Sequence, residues 1–284
     1  MRASVGRLTL GRRLVESFAG GRDLYLPDGR WGFARRYLAW QWRSRFGTVQ
    51  RLAGPERFTA IVLSFRRPEN IGPIARSVLR CAFVERLVVC NNNPDERLAD
   101  WLTLRDARLR AIDREDNGGT LVRLTLARDL PARYFLVLDD DLFLDPAQIR
   151  RVAEALVREP DRAHGIYGQI ANADGGFHDA IHGIEREVEI LNRVFAFTDE
   201  HVREFFELHR ALAIDTDESP LKRTAADDIL LSRCGRGRPR CHDVGPLLDC
   251  PTEGVAGIAV WRESDFSTYR SRLYERLGRL KSFG

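Results

Sequence analysis

Three consecutive aspartates, Asp139, Asp140 and Asp141, end the apolar run YFLVL in this 284-residue chain. Strand alternation turns Asp139 and Asp141 to one side and Asp140 to the other, making a D-x-D pair. Two carboxylates about 4 Å apart repel by roughly 1 to 4 kcal/mol, depending on the effective dielectric, unless a cation joins them. A few oxygen ligands with coordination positions left over suit Mg²⁺ or Mn²⁺ bridging nucleotide phosphates. The plainer explanation is a solvated end to a strand. Asp145 with Pro146 and Gln148 already supplies the next helix start, Asp at N-cap, Pro at N1 and Gln at N3, so that explanation leaves three acids unused.

A second acidic pair lies in TAADDILL. Thr224 and Asp227 have the spacing of a capping box, so Asp227 has a helix-start explanation. Asp228 is surplus to it and is the stronger candidate for a carboxylate acting in acid–base chemistry. His242, after the basic RGRPR stretch, is a candidate metal ligand. The cluster Cys234, Cys241, His242, Cys250 lacks the usual zinc spacings. Five cysteines without a CxxC pair predict reduced thiols. The other histidines, His164, His178, His182, His201 and His209, do not cluster.

The elements that must position these residues alternate. FTAIVLSF (58–65) reads as a strand, followed by a helical pattern through Ile71, Ile74, Ala75, Val78 and Leu79. RLVVC (86–90) stops at Asn91, Asn92, Asn93, Pro94 and leads to a short helix through Leu98 and Trp101. RLRAID (108–113) is a third strand, followed by Asn117, Gly118, Gly119 and a helix from Leu121 to Ala127. The fourth, 133–144, is apolar up to the aspartates, as a strand buried on both faces would be. A helix after Asp145, a strand at 164–171, an ADGGF turn, and an extended segment at 185–197 entering a helix follow. The acidic loop Asp215–Ser219, a last strand or turn at RPRCHDVG, and a closing amphipathic helix begun by Ser264 complete the pattern. It predicts an α/β fold with a mixed, mostly parallel sheet flanked by helices.

In this order the pieces FTAIVLSFRRPENI, RLVVCNNNP, IDREDNGGTLVRL, YFLVLDDDLFL and TAADDILLS resemble the GT-A glycosyltransferases. Among these they are most similar to the exostosin C-terminal family, glycosyltransferase family 64, with inverting family 2 as a broader relative. The resemblance spans roughly residues 58–233. It implies a GT-A, Rossmann-like nucleotide-diphospho-sugar transferase fold. It further implies that Ser64, Phe65, Arg66 and Arg67 receive uracil and ribose, and that Asn91, Asn92, Asn117 and Arg123 line the nucleotide. Asp141 would bind the metal, with Asp139 and Asp140 toward ribose, donor sugar or metal-bound water, and Asp228, ahead of Asp227, would serve the reaction centre. The implied activity is metal-dependent transfer from a UDP-sugar, with retention and an N-acetylhexosamine if the family 64 likeness holds, to a glycan or lipid-linked hydroxyl. An inverting family 2-like transferase, a nucleotidyltransferase and a non-catalytic nucleotide-sugar-binding protein are the competing readings. SFRRPENIG lacks the GxGTR-type loop of a nucleotidyltransferase. A haloacid-dehalogenase phosphatase would place its D-x-D on the first strand, not the fourth.

Charge divides the chain in two. Its formal net charge is +4, yet residues 1–57 hold twelve arginines and four acids, so the rest is net acidic. The arm 1–57 is therefore basic and aromatic, ahead of a domain at 58–284. Trp31, Phe33, Tyr37, Leu38, Trp40, Trp42 and Phe46 alternate with arginines there. Three roles are open: docking on the domain first, then an anionic membrane surface, then nucleic acid, against which the acidic remainder argues. No apolar run approaches the roughly 18 residues of a spanning helix. The first residues do not read as a secretory signal, so the expected location is cytoplasmic, with peripheral contact at the inner membrane face.

Overall fold

The computed structural model describes residues 24–171, 177, 180–214, 226–253 and 266–281. Thr224, the loop Asp215–Ser219, His178 and Ser264 lie outside the described residues, as does most of the 173–177 turn. In chain order the elements are α1 (Gly29–Phe46), β1 (Phe58–Ser64), α2 (Pro68–Leu79), β2 (Val84–Asn91), α3 (Leu98–Trp101), β3 (Leu109–Asp113), α4 (Val122–Asp129), β4 (Tyr134–Leu138) and α5 (Pro146–Arg158). Then come β5 (His164–Gln169), β6 (Arg186–Glu187), β7 (Ile190–Thr198), α6 (Asp199–Ala211), α7 (Asp227–Leu231), β8 (Arg240–Cys241) and α8 (Phe266–Leu280).

One eight-stranded sheet runs β3-β2-β1-β4-β7-β5-β8-β6. β1 pairs in parallel with β2 and β4, and β3 with β2, whereas β7 runs antiparallel between β4 and β5. The strands alternate their side chains between two apolar layers. Phe58, Ala60, Val62 and Leu136 face α2 and α5 through Ile71, Ile74, Val152 and Leu156. Ile61, Phe135 and Val137 face Val202 and Phe205 of α6, Ile229 of α7 and Leu273 of α8. Because β1 and β4 are buried on both faces, their sequences read as continuous apolar runs.

The chain proceeds from β1 outward to β2 and β3, then returns to the other side of β1 with β4. The carboxyl ends of β1 and β4 thus flank a topological switch point, where open α/β sheets place their ligands. The predicted cap of α5 is present: Asp145 accepts from the amides of Ala147 and Gln148, and Gln148 accepts from the Asp145 amide. That fixes the exit of the loop carrying the triplet. The arm's helix α1 docks through Phe33, Tyr37 and Trp40 and shares the layer containing Phe58 and Val62.

Candidate active site

The fourth strand ends at Leu138, and Asp140 and Asp141 lie in a turn. Strand alternation therefore does not govern the three aspartates. Asp140 and Asp141 share one arginine, while Asp139 pairs with another and still feels the Asp141 charge. Arg67, at the N-cap of α2, donates to Asp140 Oδ1 at 3.0 Å and lies 3.4 Å from Asp141 Oδ2. It also donates to Thr252 Oγ1 and to the Thr252 carbonyl. The Phe65 amide donates to Asp140 Oδ2. Asp140 thus ties the ends of β1 and β4 together across the switch point.

Arg123 on α4 is buried over the Phe195 ring and joins the two acidic segments. It donates to Asp139 Oδ1 at 2.7 Å and to Asp227 Oδ2 at 2.5 Å, and Thr120 Oγ1 donates to Asp227 Oδ1. Asp228 receives Arg270 Nη1 at 2.6 Å, its neighbour's Ile229 amide at 2.8 Å and Asn192 Nδ2 at 3.0 Å. Residues 227 and 228, more than eighty positions from the triplet, therefore belong to the same charged assembly.

Sequence reasoning missed Arg193, Asp249 and Glu253. Arg193 donates to Asp141 Oδ1 from Nε and Nη2, at 3.2 and 3.0 Å, and to the Asp141 carbonyl. Its Nη1 donates to Asp249 Oδ1 at 2.6 Å and Glu253 Oε2 at 3.2 Å. Tyr167, under the guanidinium, donates to Asp249 Oδ1. Arg193 has a φ of 64°, and the register of β7 against β5 shifts beside it, from Gly165↔Phe195 to Tyr167↔Asn192. This bulge turns the side chain over the rim, a placement that no propensity rule reveals. Asp249 arrives because residues 248–250 pair with the triplet's loop, through the Leu142↔Asp249 bridge and the Cys250 amide on the Asp141 carbonyl.

Seven carboxylates thus meet four guanidiniums, those of Arg67, Arg123, Arg193 and Arg270, and the assembly carries an excess of negative charge. Burial pushes the Asp139 carboxyl up to about 7, against the pull of Arg123 and with the added push of Asp141. Burial likewise raises Asp140, Asp228 and Glu253. At Asp141 burial acts upward too, but Arg193 and then Arg67 outweigh it and hold this carboxyl below its ordinary range. All-oxygen donors with excess negative charge are the chemistry a hard divalent ion favours. The arginines already engaged mean that an ion would share the carboxylates with them. No compact group of three or more potential ligands is preassembled among the described residues.

The nucleotide-side candidates separate into two groups. Asn91 is spent on its own loop: its Nδ2 donates to the Asn93 and Glu96 carbonyls and to Asp113, and its Oδ1 accepts from the Asn93 amide. Asn117 is exposed and closes a turn on the Gly119 amide. In contrast, Asn92 Oδ1 and Ser64 Oγ are buried without a hydrogen-bond partner, at the ends of β2 and β1, where the Asn92 amide donates to the Ser64 carbonyl. Such orphans are costly unless a ligand completes them. Asn192 Oδ1, beside Asp228, is a third.

His242 does not join the triplet. Its Nε2 lies 2.8 Å from His164 Nδ1 and its Nδ1 lies 2.9 Å from Glu185 Oε2, so both ring nitrogens are engaged, on the far side of β7 and β5 from β4. The histidine was expected as a metal ligand, and this placement removes the geometric basis for that role. Cys234, Cys241 and Cys250 are buried and unpaired, each bonded to a different part of the chain.

No family model matches the chain, and no curated protein sequence matches it. Among solved structures, GalNAc-T7 with UDP, GalNAc and Mn²⁺ superposes with a TM-score of 0.52 at 11% identity, over 78% of this chain and 48% of that one. S. aureus TarS 1-349 superposes with a TM-score of 0.45 at 12% identity, over 69% of this chain and 61% of that one. The same TarS fragment in complex with UDP gives 0.45 at 14% identity, over 67% and 59%. The chain spans about half to three fifths of the lengths of these structures. The fold is therefore that of the GT-A glycosyltransferases: an α/β fold with a mixed, mostly parallel sheet between helices. These structures do not by themselves show the exostosin family.

Proposed function

We propose that this protein is a nucleotide-sugar glycosyltransferase that uses a UDP-sugar, with its diphosphate seated at the rim between β1 and β4. The observation that carries the proposal is the gathering of Asp139, Asp140, Asp141, Asp227 and Asp228 into one largely buried charged assembly beside the unpaired Ser64 Oγ and Asn92 Oδ1. Ser64 and Asn92 offer the base a hydroxyl and an amide oxygen, and Phe65 offers a ring edge. Asp139 and Asp140 face ribose and the donor sugar, each fixed by its own arginine. Asp141 and Asp249 would hold Mn²⁺ or Mg²⁺. When bound, such an ion neutralises charge developing on the leaving diphosphate.

Asp228 is the carboxylate at the reaction centre. Arg270, Asn192 and the Ile229 amide hold it in one orientation, and burial raises its proton affinity toward the range useful for acid–base work. Asp227, clamped between Arg123 and Thr120, positions the start of α7 instead of reacting. The acceptor is a hydroxyl on a glycan or lipid-linked saccharide. By the family 64 resemblance the donor sugar is an N-acetylhexosamine and its anomeric configuration is retained.

The test is transfer and hydrolysis with a panel of nucleotide sugars plus divalent metal, reading the product anomer by NMR. Asp228→Asn should lower turnover at least about a hundredfold, as removing a positioned acid–base group does. UDP affinity should stay within about threefold of wild type, since Asp228 does not face the nucleotide; RT ln 3, about 0.65 kcal/mol, is below the roughly 1 to 3 kcal/mol that one unsatisfied buried group costs. Full turnover in Asp228→Asn would refute the assignment.

A further inference from the structure

The inner face of α1 is accounted for by packing. Tyr37 and Trp40 sit with ring centroids 5.1 and 4.8 Å from that of Phe143, two residues beyond the triplet, and Arg43 donates to Asp145 at 3.0 Å. Arg36 donates to the Leu247 carbonyl and is paired with Asp28. The outer face is not. Trp31, Leu38, Trp42 and Phe46 follow one another at spacings of seven, four and four residues, which keeps them on a single stripe of the helix, and Val49 lies three residues beyond its end. Their exposures are 89%, 68%, 66%, 56% and 40%. Trp42 and Phe46 touch, with centroids 4.6 Å apart, and the Arg45 guanidinium lies over the Phe46 ring. Arg35 is exposed on the same side, and the helix contains five arginines and no acid.

We infer that this face of α1 is a docking surface for an anionic lipid bilayer. Indole and phenyl rings beside guanidiniums are the side chains that settle at the headgroup boundary, where the rings leave water and the cations meet lipid phosphate. Charge decides against the other occupants. A second copy brought up by a two-fold axis would set arginine against arginine with no acid of the helix to answer it. Nucleic acid would answer the arginines, but Leu38 and Val49 offer no ring for a base, and the chain beyond residue 57 is net acidic. Because the inner face of α1 is packed against Phe143, a docked helix would hold the acidic rim at a fixed attitude to the lipid surface. The inference concerns the helix alone and stands apart from the identity of the reaction.

Vesicle sedimentation of the full chain tests it, with phosphatidylcholine vesicles lacking or containing phosphatidylglycerol. The wild-type protein should pellet with the anionic vesicles and stay in solution with the neutral ones. Arg35→Gln and Arg45→Gln should each weaken binding about fivefold. Trp31→Ser with Trp42→Ser should weaken it more than about tenfold, as expected for losing two buried interfacial side chains. All four residues are exposed, and unchanged thermal unfolding of the variants would show that the loss is not misfolding. Four results would each overturn the inference: no pelleting of wild type, equal pelleting with neutral vesicles, undiminished pelleting of the double tryptophan variant, or a lipid-free dimer that Trp42→Ser dissolves. Binding of single-stranded RNA or duplex DNA as tight as that of anionic vesicles would assign the face to nucleic acid instead.

Discussion

Replacing Arg193 with glutamine removes one guanidinium from three carboxylates at once. Asp141, Asp249 and Glu253 lose their shared partner, and the arginine side chain they lose is only 16% exposed. Breaking a buried ion pair from one side costs about 3 to 5 kcal/mol, because the remaining charge stays desolvated. For a chain of this size each kcal/mol moves the melting temperature by roughly 2 to 4 °C, so Arg193→Gln should melt about 6 °C or more below wild type. The strained backbone at Arg193 remains in the variant and cancels from the comparison. The assay is thermal unfolding at pH 8 with chelator, repeated at pH 5 and with Mn²⁺. The deficit should narrow at pH 5, because burial already raises Glu253 and losing Arg193 removes the charge that opposed its protonation, and Mn²⁺ should raise the variant more than wild type by supplying the missing positive charge. A variant melting within about 1 °C of wild type at pH 8 in chelator would refute the reasoning, since even one median buried contact would be worth more.

Asp139 sets a pH dependence of opposite sense to that of an acid whose ion pair outweighs its burial. Its carboxyl rises from 3.8 in the unfolded chain to about 7 in the folded one, chiefly by burial, so ionising it opposes folding. The stabilisation present below pH 3.8 is lost as pH rises through about 7. Asp139→Asn, which can still accept from Arg123, should flatten that decline in a melting-temperature profile and exceed wild type at pH 8; a profile superimposable on wild type would count against the buried site. All five cysteines are buried and unpaired. A thiol reagent should therefore modify them only as fast as the protein unfolds, and rapid native labelling would contradict the packing.

Much of the sheet was legible because β1 and β4 are buried on both faces and therefore uniformly apolar, and because Asp145, Pro146 and Gln148 carry a complete helix start. The triplet was legible as chemistry, but its geometry was not. Alternation requires a strand, and the strand ends at Leu138, leaving Asp139 on Arg123, Asp140 on Arg67, and Asp141 between Arg67 and Arg193. Arg67 and Arg123 were expected on the nucleotide side, and both are committed to carboxylates. Arg193, Asp249 and Glu253 gave no signal, since a bulge and a long-range bridge assemble them. His242 was expected as a metal ligand after a basic run, while the strand it follows, β8, lies three places away from β4. Asn91 and Asn92 are neighbours of the same type; only the hydrogen-bond inventory separates the one that closes a loop from the one left with an open acceptor.

The most direct measurement is calorimetric titration of UDP in the presence of Mn²⁺ into wild type, Asn92→Leu and Asp141→Ala, each checked for folding. The account predicts binding to wild type that falls about tenfold or more in each variant, the worth of one buried hydrogen bond or charged contact. Equal UDP affinity in all three proteins would contradict a nucleotide site between β1 and β4.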